Sequence, residues 1–308
     1  MSRVYASLPL GGAHGRELLR GADLALERSA SAAVELVVLD SGGEDRDVQA
    51  AANARRADGD ERALAYLGDF HSSQVLASAP ILGQAGLLAV APAATYVGLG
   101  GPTLVRLTPN DRVGAAAIAA WLADQAVAEL LVVHDHDEGY GVPVGRMCAE
   151  AARERGLAVE ARPVWDHDET PDLGGAQAVL YVGVAGSGAA GMWHELHSLN
   201  PDLWLLGSEG VAVDWFAGEL APAVAERTRF FVAQRAPWGF YGYEAMSLIL
   251  DAIAAAGADR AAVARVARST NDSDSALGRY SIDADGHTTS TAYGRLAVIG
   301  GELAWDRG

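Results

Sequence analysis

Ala63-Leu64-Ala65-Tyr66-Leu67-Gly68-Asp69-Phe70-His71-Ser72-Ser73-Gln74-Val75-Leu76 decides the fold. An unbroken apolar run is stopped by glycine, and a Ser-Ser pair then opens an Ala- and Leu-rich stretch. A short apolar run bounded by turn residues reads as a buried strand, and the stretch after it as a helix over 72–82. Working outward, residues 4–8, 34–39 and 87–90 read as further strands, with helices over 15–28 and 46–56. Strands alternating with helices predict βαβ units on a parallel sheet.

A second series of the same kind starts after Thr108-Pro109-Asn110-Asp111, where Asn110 or Asp111 can cap a helix over 113–125. Strands are expected at 129–134, 157–162, 177–184, 203–206 and 229–233. Helices are expected at 142–155, 189–199 and 241–256, the last just beyond Pro237, with a closing hairpin around Gly300-Gly301. In parallel α/β sheets, ligands sit outside the carboxyl ends of strands. The loops to search are therefore 8–15, 68–74, 91–96 and 134–141, then 185–191 and 207–211.

At 308 residues the chain exceeds one ordinary domain. Its formal net charge of -17 excludes nucleic acid and anionic membrane surfaces as partners, since both demand clustered Lys and Arg. The single cysteine, Cys148, cannot form an internal disulfide, so the compartment is not written in sulfur chemistry. No apolar run is long enough to span a bilayer, and Met1-Ser2-Arg3 does not open a secretory leader. Taken literally, this start reads as cytoplasmic; a mature segment given a new Met would read the same.

Eight fragments, in order, resemble those of the branched-chain amino-acid group of type I periplasmic binding proteins, the solute receptors of ABC transporters. Ser7-Leu8-Pro9-Leu10-Gly11-Gly12 is similar to the opening loop, and residues 36–40 to the second strand with its terminal Asp. Gly68 to Ser73 resembles a Gly-x-x-x-Ser-Ser turn, and Ala91-Pro92-Ala93-Ala94-Thr95 a Ser-Pro-x-Ala-Thr segment. Residues 105–111 resemble the Phe-Arg-Thr-x-x-x-Asp crossing, and 134–141 the Asp-x-x-Tyr-Gly loop. Gly207-Ser208-Glu209-Gly210 is similar to Gly-x-Glu-Gly, and Tyr243-Glu244-Ala245 to Tyr-Asp-Ala in the long helix.

The resemblance implies two Rossmann-like lobes joined by three hinge crossovers near Asp111, Gln234 and Asp283. One lobe would comprise 1–111 and 235–283, the other 112–234 and 284–308. A small amino acid or related carboxylate would be captured in the interlobe cleft, by hinge closure selected by the ligand, and handed to the membrane subunits of a transporter. No catalysis, cofactor or metal is implied. The product would be periplasmic or extracellular, anchored through a leader that precedes the mature part.

An amino-acid ligand presents a carboxylate and an ammonium, each costly to bury without partners. A hydroxyl with backbone N–H groups at a helix N-terminus suits the first. By the resemblance Ser72, Ser73, Thr95 and the amides around Ala93 hold the carboxylate, Glu209 takes the ammonium, and Tyr140 reaches over the closed site. Taken singly, the serines read as helix caps, Thr95 as a turn residue, Glu209 as a solvated acid and Tyr140 as an ordinary aromatic. The chain also departs from the family. Val184-Ala185-Gly186-Ser187 stands where a Tyr often follows the strand, the stretches 165–177 and 234–241 are short, and His71 replaces a disulfide cysteine.

Three other signals compete. Gly186-Ser187-Gly188-Ala189-Ala190-Gly191 is a formal GxGxxG between a strand and a helix, the fingerprint of a nicotinamide- or flavin-dependent oxidoreductase. The runs 134–138 and 166–169 mix His, Asp and Glu, but adjacent residues rarely converge on one ion, so solvated turns are expected. Finally, the same fold would serve as a cytoplasmic small-molecule sensor if Met1 is the natural start.

Overall fold

The computed structural model describes residues 1–29, 34–163, 172–186 and 189–306. In chain order the first run is β1 (Ser2–Leu8), α1 (Ala13–Arg28), β2 (Val34–Asp40), α2 (Arg46–Asp58), β3 (Ala63–Leu67), α3 (Ser72–Gln84), β4 (Leu88–Ala91) and β5 (Leu104–Arg106). The second run begins with α4 (Asp111–Asp124), β6 (Glu129–His134), α5 (Gly141–Glu154), β7 (Ala158–Pro163) and β8 (Ala178–Val182). It continues with α6 (Ala189–Leu199), β9 (Trp204–Gly207), a 3-10 turn (Glu209–Val211), α7 (Asp214–Glu219), α8 (Pro222–Glu226) and β10 (Thr228–Val232). Then come α9 (Trp238–Ala256), α10 (Arg260–Arg268), β11 (Ser273–Ser275), β12 (Gly278–Tyr280), β13 (Gly294–Ile299) and β14 (Glu302–Trp305).

The chain divides into two compact units, Met1–Asn110 with Ala236–Ala292, and Asp111–Arg235 with Tyr293–Gly308. The third boundary thus falls after Ala292, beyond the crossing expected near Asp283. Backbone pairing explains the difference: His287 bridges to Arg106, and Thr288 to Ile282, which keeps this segment on the first unit.

In the first unit the strands run β2-β1-β3-β4-β5, all parallel. Alternate residues of β1 face opposite layers, as a pleated strand requires. Val4, Ala6 and Leu8 pack with α1, α9 and α10, while Tyr5 packs with α2 and α3. The chain steps from β1 to β2 on one side and resumes at β3 on the other. The order therefore reverses between β1 and β3, and the loops after these two strands part to opposite faces. Such a switch point is where ligands of doubly wound sheets bind.

The second unit has the order β14-β13-β10-β9-β8-β6-β7. Its parallel body ends in the antiparallel pairs β10–β13 and β13–β14, the latter forming the hairpin expected at Gly300-Gly301. Val179 and Tyr181 of β8 face α6, α7 and α8, where Trp193 and Phe216 are fully buried. Leu180 and Val182 face α4 and α5. Here the switch point lies between β6 and β8.

Candidate functional site

Ser72 and Ser73 open α3, but neither caps it. His71 is the N-cap residue, and its backbone N–H is taken by the Gln74 side chain at 3.1 Å. Gln74, itself buried, donates to the Ser41 carbonyl at 2.7 Å and so ties the loop after β3 to the loop after β2. Gly68 turns the chain out of β3 at φ +144; a Cβ there would lie 2.5 Å from the Ser7 carbonyl oxygen, so only glycine fits.

The Ser72 hydroxyl accepts the backbone N–H groups of Thr95 and Tyr96, each at 3.2 Å. A serine hydroxyl has two lone pairs and one proton. With both lone pairs occupied, Ser72 has only its O–H left to offer, which is the group an anion needs. Thr95 is nearly buried, and the Ala93 side chain belongs to the packed core beneath it. The structure thus brings Ser72, Ala93 and Thr95 together across the ends of β3 and β4. Ser73 is engaged elsewhere, donating to Asp47 at 2.7 Å on the exposed surface.

Aromatic rings surround the same loop, a feature the sequence reading did not single out. His14 stacks on Phe70 with ring centres 5.9 Å apart. Phe70 meets His71 at 5.0 Å and Trp238 at 5.2 Å, both edge-on. Trp238 begins α9, three residues earlier than the expected start at 241. Burial, with Arg46 nearby, pulls the His71 imidazole down to about 4, so it is neutral near pH 7.

In the second unit Glu209 starts the 3-10 turn after β9, and Tyr140 precedes α5 in the loop after β6. The turn is held by its neighbours: the Ser208 N–H donates to the Tyr181 carbonyl at 3.0 Å, and the Ala185 N–H to the Gly210 carbonyl at 3.1 Å. A Cβ on Gly210 would run into the Gly183 carbonyl oxygen. Burial and the charge of Asp111 push the Glu209 carboxyl up to about 8. Tyr140 is pushed upward by burial and by Glu209, with the Ser208 side chain and the Gly210 backbone as hydrogen-bond partners.

Tyr293 is raised by burial first, then by Glu209, Asp111 and Tyr140, so four polar side chains share one environment. The sequence reading placed two of them, Tyr140 and Glu209. Asp111 was read as a helix cap, and Tyr293 carries no local signal.

The His134 to Glu138 run forms a turn. Asp135 accepts N–H groups from Asp137 at 3.1 Å and from Val184 at 3.2 Å, pinning the loops after β6 and β8 together. Among the described residues no cluster of His, Cys, Asp and Glu could hold a metal ion. Residues 166–169 lie outside the described residues, as do Ser187 and Gly188 of the glycine-rich run. Cys148 is buried, and burial lifts its thiol to about 12, which makes it a packing residue and not a nucleophile. Among the described residues no helix is long and apolar enough to cross a membrane.

Comparison with known proteins gives the lineage. A search of curated protein sequences gives no match. Among solved structures, a leucine binding protein, LivK, from Thermotoga maritima has a TM-score of 0.81 at 23% identity, over 99% of this chain and 98% of that one. The branched-chain amino acid transporter substrate binding protein LivJ from Streptococcus pneumoniae, in complex with isoleucine, has a TM-score of 0.76 at 18% identity, over 99% and 100% of the two chains. A solute binding protein from R. palustris in complex with 4-hydroxybenzoate has a TM-score of 0.77 at 16% identity, over 99% and 95%. These likenesses establish the type I fold. A family model described as periplasmic binding protein matches residues 9–178, more than half of the sequence, and the chain therefore belongs to the periplasmic binding protein family.

Proposed function

We propose that this chain is the solute receptor of an ABC transporter and binds an amino acid or closely related carboxylate without chemically changing it. The first unit supplies the carboxylate subsite, through the Ser72 hydroxyl, Thr95 and the amides near Ala93. The second supplies Glu209 for the ammonium, with Tyr140 beside it. Ser73 contributes its position at the helix start, its hydroxyl being held by Asp47. The rings of His14, Phe70 and Trp238 favour a ligand with a bulky apolar side chain.

One observation carries the reading. Glu209 stands in the turn after β9 with a second acid, Asp111, as its charged neighbour, and burial together with that charge raises its carboxyl to about 8. An ammonium ligand offsets the desolvation of the ionised carboxyl and counters the repulsion from Asp111. The relatives with bound isoleucine and 4-hydroxybenzoate agree with a carboxylate ligand. Action outside the cytoplasmic membrane and delivery to membrane subunits follow from the same reading.

A thermal-shift screen tests it. Ligand at about 100 times Kd stabilises by roughly 2.7 kcal/mol, a shift of several degrees. Leucine, isoleucine, valine and phenylalanine are expected to include at least one such ligand. Saturable stabilisation by NADH with none by any amino acid would instead support the oxidoreductase reading of the glycine-rich run.

A further inference from the structure

Beneath the loop that presents Ser72 lies a carboxylate that the binding reading does not use. Asp69 is fully buried, and its carboxylate accepts the Ser7 hydroxyl at 2.6 Å and the Tyr66 hydroxyl at 3.2 and 3.3 Å. The Ser78 side chain is a further hydrogen-bond partner. The direction of the Ser7 bond is fixed. Asn53 Nδ2 donates to Ser7 Oγ at 3.0 Å and to the Asp40 carbonyl at 3.0 Å, while its Oδ1 accepts from Gln49 at 2.9 Å. The Ser7 proton therefore points at Asp69.

We propose that Asp69 is a positioning residue for ligand capture: hydroxyls from β1, β3 and α3 converge on its carboxylate and lock the loop that carries Ser72 at the switch point of the first unit. The inference rests on the amino-acid-binding reading given above for what the loop does, though not for how it is held.

Stability alone does not explain an acid at this place. Its side-chain partners Ser7, Tyr66 and Ser78 are all hydroxyls, and burial raises the carboxyl to about 6. A raised carboxyl pKa means the folded chain binds the proton more tightly than the unfolded one, so the ionised form weakens folding progressively as pH rises from about 4 to about 6 and stays costly above. What the charge supplies is stronger hydrogen bonding, since an ionised acceptor binds hydroxyl donors about twice as strongly as a neutral one. A loop fixed beforehand loses less freedom when the ligand arrives. The charged and titratable groups facing Asp69 are Tyr66 on β3 and Asp47 on α2. His71, two residues along, titrates near 4, below the window of Asp69.

The test compares wild type with Asp69→Asn, and with Tyr66→Phe as a milder variant, by thermal unfolding against pH, amide hydrogen exchange of residues 70–74 without ligand, and leucine affinity against pH. Asp69→Asn is expected to keep or raise the melting temperature at pH 7 while speeding exchange in 70–74, and weakening leucine binding, by about tenfold each. The affinity step near pH 6 should vanish, while a step near 8 from Glu209 persists. Tyr66→Phe should move exchange in the same direction by less. A variant with lower stability and weaker binding but an unchanged loop exchange pattern would overturn the proposal, as would wild-type exchange and affinity. Should Asp69→Asn not fold, unchanged loop exchange in Tyr66→Phe would overturn it equally. If wild type binds no amino acid, the functional reading fails by itself and the exchange comparison still decides the role of Asp69.

Discussion

The hydroxyl oxygen of Ser72 accepts the backbone N–H of Thr95 at 3.2 Å, and by that bond the loops after β3 and β4 are fastened together beside the switch point of the first sheet. A second N–H, from Tyr96, completes the acceptor capacity of the same oxygen and leaves its O–H to donate. The neighbouring Ser73 looks equivalent in sequence and is not, because its hydroxyl is spent on Asp47.

That difference gives the first prediction. Ser72→Ala should lower stability by about 1–3 kcal/mol, since it leaves two largely enclosed N–H groups without their acceptor, and it should weaken binding of any carboxylate ligand. Ser73→Ala, which removes an exposed bond, should change stability by no more than about 0.5 kcal/mol. Chemical denaturation and calorimetry on the pair would test this; equal losses would contradict it.

Glu209 sets the second. Glu209→Ala should cost leucine about 3–5 kcal/mol of binding, because a buried ammonium loses its counter-charge. The des-amino analogue 4-methylpentanoate should bind wild type and variant within about 1 kcal/mol of each other. Equal losses for both ligands in calorimetry would remove Glu209 from the ammonium subsite.

The third concerns pH. Glu209 is raised from the ordinary 4.5 to about 8, so the folded chain holds this proton more tightly than the unfolded one. Its burden on stability is absent below about 4.5 and grows as pH rises toward 8. Glu209→Gln should therefore melt higher than wild type at pH 8 in the absence of ligand. Capture of an ammonium needs the ionised form, so leucine affinity should rise with pH up to about 8, with about one proton released per ligand at pH 7. Calorimetry in buffers of different ionisation enthalpy reads that proton directly; none released would contradict the assignment.

A fourth tests the turn itself. Gly210→Ala places a methyl against the Gly183 carbonyl oxygen, so the turn has to shift. The expected loss is about 1–3 kcal/mol in thermal unfolding, accompanied by weakened leucine binding. Unchanged values for both would mean that the turn is not the anchor of Glu209.

Much of this architecture is legible in the sequence because apolar runs, glycines and capping residues agree locally. Residues 63–67 and 178–182 are strands buried on both faces, and their unbroken apolar character is the direct mark of that burial. β5 escaped notice because three residues carry no period. α10 was missed although its signals are local: Asp259 caps it through the Ala262 N–H, and its apolar residues fall on one face. The site was half legible. Ser72, Thr95 and Glu209 sit in turns with recognisable spacing, whereas Asp69, Asp111, Tyr293 and the Phe70–Trp238 contact depend on neighbours far along the chain that no local pattern records. The opposed fates of Ser72 and Ser73 depend in the same way on Thr95 and Asp47.

Nuclear magnetic resonance of the 15N-labelled protein titrated with leucine is the most direct measurement of the central claim. Saturable shifts are expected, centred on the amides of residues 71–73 and 93–96 and on those of residues 207–211, absent for the latter group when 4-methylpentanoate is used. Shifts confined to other surfaces of either unit, with these amides unmoved at saturation, would contradict it.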